Sequence, residues 1–125
     1  MQVETFGIIL NTEHYAACVG FYRDALGLKV MFEKATEEER LTCFDMGGAY
    51  LMVEPGGRAS TGGKPPGDCP SKLRFNVADV EAAVAELARR GVQAEVRRRP
   101  WGVTAEFFDP DGNRCALRGV AGFGE

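Results

Sequence analysis

The side chains from which chemistry could be built are few in this sequence of 125 residues: one histidine, four cysteines, two close aspartates and a run of three arginines. With His14 as the single histidine, neither a Ser-His-Asp nor a Cys-His arrangement is assembled, so hydrolysis through an activated nucleophile lacks its ordinary parts. Cys18, Cys43, Cys69 and Cys115 contain no CxxC pair. Cys18 sits in a helical pattern among Ala and Val, and Cys43 and Cys115 alternate with apolar strand residues. These three are expected to be buried free thiols, with Cys69, beside Pro70 in a loop, the exposed one. Asp109 and Asp111 could attract a cation as a pair, but a turn explains both. Glu13 and His14 flank a helix start, where capping or solvation is expected. No Gly-x-Gly-x-x-Gly follows a strand, and Gly56, Gly57, Gly62 and Gly63 lack the strand-to-helix context of a phosphate loop, so no cofactor is expected.

Around these residues the composition is that of an ordinary globular chain, 45% hydrophobic and 26% charged with net charge -3, on the scale of one domain. Fifteen Lys and Arg against 18 Asp and Glu do not make a general polyanion-binding surface, and Arg97-Arg98-Arg99 is too short a run to argue for nucleic acid. No apolar run approaches the ~18 residues of a membrane span. Met1-Gln2-Val3-Glu4 lacks the basic and apolar regions of a signal peptide, so a cytoplasmic location is expected.

The elements that position these side chains are repeated. Shifted by 64, Cys43–Gly48 falls on Phe107–Gly112 and Gly27 on Gly91; shifted by 65, Leu10-Asn11 falls on Phe75-Asn76. Each copy predicts a strand, a helix and three strands. In the second, Leu73, Phe75 and Val77 alternate. Asp79 caps a helix with apolar Val80, Ala83, Val84 and Leu87 on one face, and Gly91 ends it. Strands follow at about 92–98, 103–108 and 114–118, the last two joined by the turn Asp109-Pro110-Asp111-Gly112-Asn113. The first copy is Phe6–Leu10, a helix over Tyr15–Leu26, and strands near 28–34, 40–46 and 49–54, with Thr36-Glu37-Glu38-Glu39 as a solvated turn. Residues 56–70, rich in Gly and Pro, predict a linker between modules at about 1–55 and 71–120. The fold class is α+β: two βαβββ modules forming a curved mixed sheet around a cavity, helices on the outer face.

The segments Phe21-Tyr22-Arg23-Asp24-Ala25-Leu26-Gly27-Leu28 and Phe108-Asp109-Pro110-Asp111-Gly112-Asn113, one in each copy, resemble the glyoxalase, bleomycin-resistance and extradiol-dioxygenase superfamily, also called vicinal oxygen chelate proteins. The resemblance covers nearly the whole chain. In metal-dependent members it implies a His near the start of each half and a Glu near the end of a half, holding a divalent metal. Carried over by position, these fall on Gly7, Lys72 and Ala116, with Met52 as the matching position of the first half. None supplies the expected ligand. The resemblance therefore implies no metal here, and glyoxalase or dioxygenase chemistry loses its electrophile.

Strand parity then proposes a site. If Leu73, Phe75 and Val77 face the helices, Lys72, Arg74 and Asn76 face away from them, joined by Arg114, Ala116 and Arg118. The first half adds Gly7, Ile9, Asn11, Tyr50, Met52 and Glu54. Val92, Ala94 and Val96 alternate inward, so Arg98 continues that series while Arg97 and Arg99 are solvated. Trp101 lies in a loop as a candidate aromatic platform. The expected ligand-binding set is Tyr50, Met52, Glu54, Lys72, Arg74, Arg98, Trp101, Arg114 and Arg118. Its cations favour a polar or anionic compound over a large cation such as bleomycin. The resemblance implies a homodimer that binds a small molecule, in the manner of antibiotic sequestration. An enzyme of lyase or isomerase type, with a relocated metal or with Glu54 and Tyr50 as acid and base, is the alternative; an interaction module with no ligand is the third.

Overall fold

Each half of the chain follows the predicted order of a strand, a helix and three strands. The structure, a computed structural model, describes residues 1–124 and divides into two units, Met1–Ala59 and Ser60 onward.

In the first unit, β1 (Phe6–Thr12) is followed by α1 (Tyr15–Gly20), β2 (Val30–Ala35), β3 (Arg40–Asp45) and β4 (Ala49–Pro55). They form a mixed four-stranded sheet in the order β1-β4-β3-β2, with β1 parallel to β4 and the other pairs antiparallel. Cys18, Val19 and Tyr22 form the buried side of the helical segment; Phe44, Leu51 and Val53 are buried on the sheet. The Tyr22 and Phe44 rings meet at 6.3 Å, and burial of each contributes about 1.5–3 kcal/mol. Tyr15 Oη lies 2.7 Å from Thr42 Oγ1, a hydrogen bond joining α1 to β3.

The helix expected over Tyr15–Leu26 is not uniform. After Gly20 it widens into a π-helical turn over Phe21–Ala25, in which Leu26 N–H donates to Phe21 O at 3.0 Å. The inserted residue is a local feature of hydrogen bonding with no signature in apolar spacing, since Cys18 and Tyr22 keep the four-residue interval of an ordinary helix. Gly27, with φ of 71°, then reverses the chain, and Leu28 N–H donates back to Tyr22 O at 3.0 Å.

In the second unit, β5 (Leu73–Val77), α2 (Val80–Arg89), β6 (Glu95–Arg99), β7 (Gly102–Phe108) and β8 (Arg114–Gly119) repeat the plan. The sheet order is β5-β8-β7-β6, again with one parallel pair, β5 with β8. Asp79 caps α2 by accepting from Ala82 N–H at 3.0 Å, worth about 1 kcal/mol. Gly91, with φ of 84°, ends this helix as Gly27 ends its counterpart, so the sequence repeat is a structural one. Leu73, Cys115, Leu117, Phe107 and Ala105 are buried on one side of the sheet together with Val80 and Leu87 of α2, and α2 packs on β6, β7 and β8.

The turn after β7 has a buried polar centre. Asp109 Oδ1 accepts from the N–H groups of Asp111 and Asn113 at 2.9 and 2.8 Å, and Oδ2 from Asn113 Nδ2 at 2.9 Å. Its carboxylate is occupied in holding the turn. Among the described residues, no helix is long and apolar enough to cross a membrane.

Candidate functional site

With one face of each sheet covered by a helix, the opposite face is where side chains of unlike character collect. On β4 of the first unit, Leu51 and Val53 are buried and alternate with half-buried Tyr50, Met52 and Glu54. Register sets Tyr50 opposite Gly7, Met52 opposite Ile9 and Glu54 opposite Asn11. Asn11 Nδ2 donates to Glu54 Oε1 at 3.2 Å and to Pro55 O at 3.0 Å. The Tyr50 ring covers Gly7: a Cβ built on Gly7 would meet its carbons at 2.0–2.4 Å. Cys43, opposite Met52 on β3, is buried, and that burial pushes its thiol pKa up.

The helix-free face of the second unit is strongly basic. Pairing of β5 with β8 aligns Arg74 with Ala116 and Asn76 with Arg118, and β7 continues these rows with Glu106 and Thr104. On β6 the rows end at Glu95 and Arg97. Lys72 Nζ pairs with Glu106 at 3.5 Å and Arg97 with Glu95 at 3.4 Å. Among the described residues, no carboxylate lies within 4.0 Å of Arg74, Arg99, Arg114 or Arg118. Arg114 Nη1 donates to Cys69 O at 3.1 Å. Beside it opens a cleft of about 320 Å³ lined by Lys64, Pro65, Pro66, Glu106, Phe108 and Arg114, at the small end of the range that ligand pockets occupy.

Arg118 differs from its neighbours. It is 3% exposed, and its guanidinium donates to three carbonyl oxygens, those of Gly119, Ala121 and Trp101. It also lies over the ring of Trp101, 5.3 Å from the centroid. The expected ligand donor is thus a buried side chain that positions the Trp101 turn. Trp101 itself stands between β6 and β7 and is 54% exposed.

The structure places Lys72, Arg74, Arg114 and Arg118 on one face as parity requires. Arg98 stands apart from them. It continues the inward alternation and therefore reaches the helix side, where it pairs with Glu81 of α2. Arg97, expected in solvent, is on the basic face and half-buried, with Nε buried and without a hydrogen-bond partner. Arg97, Glu106, Phe108 and Lys64 were missed by sequence reasoning. Tyr50, Met52 and Glu54 lie together in the first unit, on its own helix-free face. His14 occupies the N-cap position without a side-chain capping bond, 3.9 Å from Glu13.

Two βαβββ units, each a mixed sheet with a helix on one face, define the vicinal oxygen chelate fold. The chain matches the Glyoxalase/Bleomycin resistance protein/Dioxygenase superfamily over residues 5–117, and it belongs to that superfamily. It is similar in structure to TnmS3, an antibiotic binding protein from Streptomyces sp. CB03234, with TM-score 0.71 and 24% identity over 95% of each chain. A glyoxalase family protein from Enterococcus faecalis is similar with TM-score 0.71 and 23% identity, over 94% of this chain and 96% of that one. Lactoylglutathione lyase from Agrobacterium tumefaciens gives TM-score 0.70 and 19% identity over 95% of each chain. No curated protein matches the chain.

The family's metal does not fit the residues present. Tyr50 fills the space beside Gly7, Lys72 is engaged with Glu106, Ala116 has no donor atom, and Met52 offers only a thioether. Among the described residues, no three His, Cys, Asp or Glu side chains come together as a metal site would require.

Proposed function

We propose that this chain is a metal-independent small-molecule-binding protein whose ligand carries an acidic group, held on the helix-free face of the second unit. The observation that carries this is the set of arginines, Arg74, Arg99 and Arg114, with no carboxylate partner among the described residues. Guanidinium groups without a carboxylate on one face present forked donors suited to a ligand carboxylate or a similar anion. Lys72 and Trp101 complete this unit's part of the expected set.

The likeness to TnmS3, an antibiotic binding protein, supports sequestration of an antibiotic as the form this function takes. Exposed Phe6, Ile9 and Phe32 in the first unit support the expected homodimer, because such side chains gain from a partner. Four free cysteines, three of them buried, agree with the reducing cytoplasm.

Native mass spectrometry with elemental analysis, on protein purified without added metal or chelator, tests the proposal. The expected result is a retained acidic compound and no stoichiometric metal. Arg74→Ala and Arg114→Ala should each weaken its binding about tenfold or more, the cost of losing a hydrogen bond between charged groups. Near-stoichiometric metal, or full retention by both variants, would overturn it.

A further inference from the structure

The turn that follows β8 lies against the basic face. Beyond β8 the backbone turns through Val120–Gly124, and Phe123 N–H donates to Val120 O at 3.2 Å. This turn sets the Phe123 ring between two cations: the guanidinium carbon of Arg74 is 5.6 Å from the ring centroid and that of Arg118 is 5.5 Å. Phe123 is 55% exposed, so burial accounts for little of its placement, and attraction of two guanidinium groups to one π system accounts for more. Arg118 binds the carbonyls of Gly119 and Ala121 in this same turn and that of Trp101 opposite. The tail and the Trp101 turn are thus tied to one side chain. Arg74 has an aromatic ring but no carboxylate among the described residues.

An aryl acid would satisfy this arrangement better than Phe123 does. Its ring would take the place of the phenyl group between the two guanidinium groups, and its negative charge would pair with Arg74, for which phenylalanine offers nothing. We propose that Phe123 is an internal competitor: the C-terminal turn occupies a subsite for a planar aryl carboxylate or sulfonate, and the ligand binds by displacing it. This rests on the anion-binding function proposed above and adds the ligand's aromatic character and the device that opposes its binding.

The test is titration of 2-naphthoate into the full chain, into Phe123→Ala and into a chain ending at Gly119, followed by the emission of Trp101, the single tryptophan, and by calorimetry. Removing the competing ring should tighten naphthoate binding about three- to tenfold, as loss of a cation–π contact implies. Arg74→Ala should abolish the gain, and 2-naphthylmethylammonium and cyclohexanecarboxylate should bind more weakly than naphthoate throughout. Equal or weaker binding of naphthoate by Phe123→Ala would overturn the competitor while leaving anion binding in place. Equal binding of the ammonium probe would overturn the choice of an acid, and equal binding of the cyclohexane acid the choice of a ring. Failure of naphthoate to bind any form would overturn both the inference and the function on which it rests. Phe123 is exposed, so its replacement keeps the test decisive even if the shortened chain does not fold.

Discussion

The phenol ring of Tyr50 lies over the Cα of Gly7, across the parallel pairing of β1 and β4. The side chain that would hold a metal in a metal-dependent relative is missing, and its space is already filled. Gly7→Ala is expected to destabilise the protein by about 1–3 kcal/mol, as overpacking does, measured by urea unfolding. Gly7→His should fail to confer zinc binding while Tyr50 remains, and calorimetric titration with zinc checks this.

Arg118 has exchanged the expected role of ligand donor for one inside the protein. Arg118→Met leaves the carbonyls of Trp101, Gly119 and Ala121 without their donor and should cost about 1–3 kcal/mol. Arg118→Lys should recover only part of this, because an ammonium group lacks the planar fork. Both variants should shift the emission of Trp101. Unfolding curves that coincide with wild type would show that the guanidinium does not hold the turn.

Glu54 and Tyr50 are the acid and base that an enzyme would use. Asn11 donates to Glu54, and Tyr50 rests against Gly7; neither arrangement points to a reacting centre. Assayed against acidic and dicarbonyl substrates, wild type and Glu54→Gln are both expected to show no turnover, with ligand affinity unchanged by the substitution. Turnover in wild type that disappears in Glu54→Gln would establish the enzyme instead.

The alternation of Leu73, Phe75 and Val77, and of Cys115 and Leu117, is enough on its own to put Lys72, Arg74, Arg114 and Arg118 on one face, because the other face of the sheet must meet the helix. Paired Gly27 and Gly91 likewise mark the helix ends. The arginine run on β6 is harder: three identical side chains carry no alternation of their own, and following the apolar series through Arg98 leads to the helix side, leaving Arg97 to be read as solvated when it is half-buried on the other face. Phe123 follows the last strand in a Gly-rich stretch, where periodicity offers no signal. Its position depends on cations contributed by β5 and β8, a relationship between distant parts of the chain that local pattern does not express. The π-helical turn is hidden for a similar reason, since its apolar residues keep helical spacing.

The segment expected to be a linker is claimed from both ends. Gly56 and Gly57 N–H groups donate to Thr12 O at 3.0 and 3.1 Å, and Ala59 N–H to Glu13 Oε1 at 2.9 Å. One residue later the allegiance changes: Ser60 N–H donates to Asp111 O at 3.0 Å, Lys64 N–H to Gly112 O at 2.9 Å, and Lys64 Nζ to Asn113 Oδ1 at 2.7 Å. What looks like a tether over residues 56–70 narrows to a seam at the Ala59–Ser60 peptide bond. A chain opened there would leave each half holding these hydrogen bonds of its own.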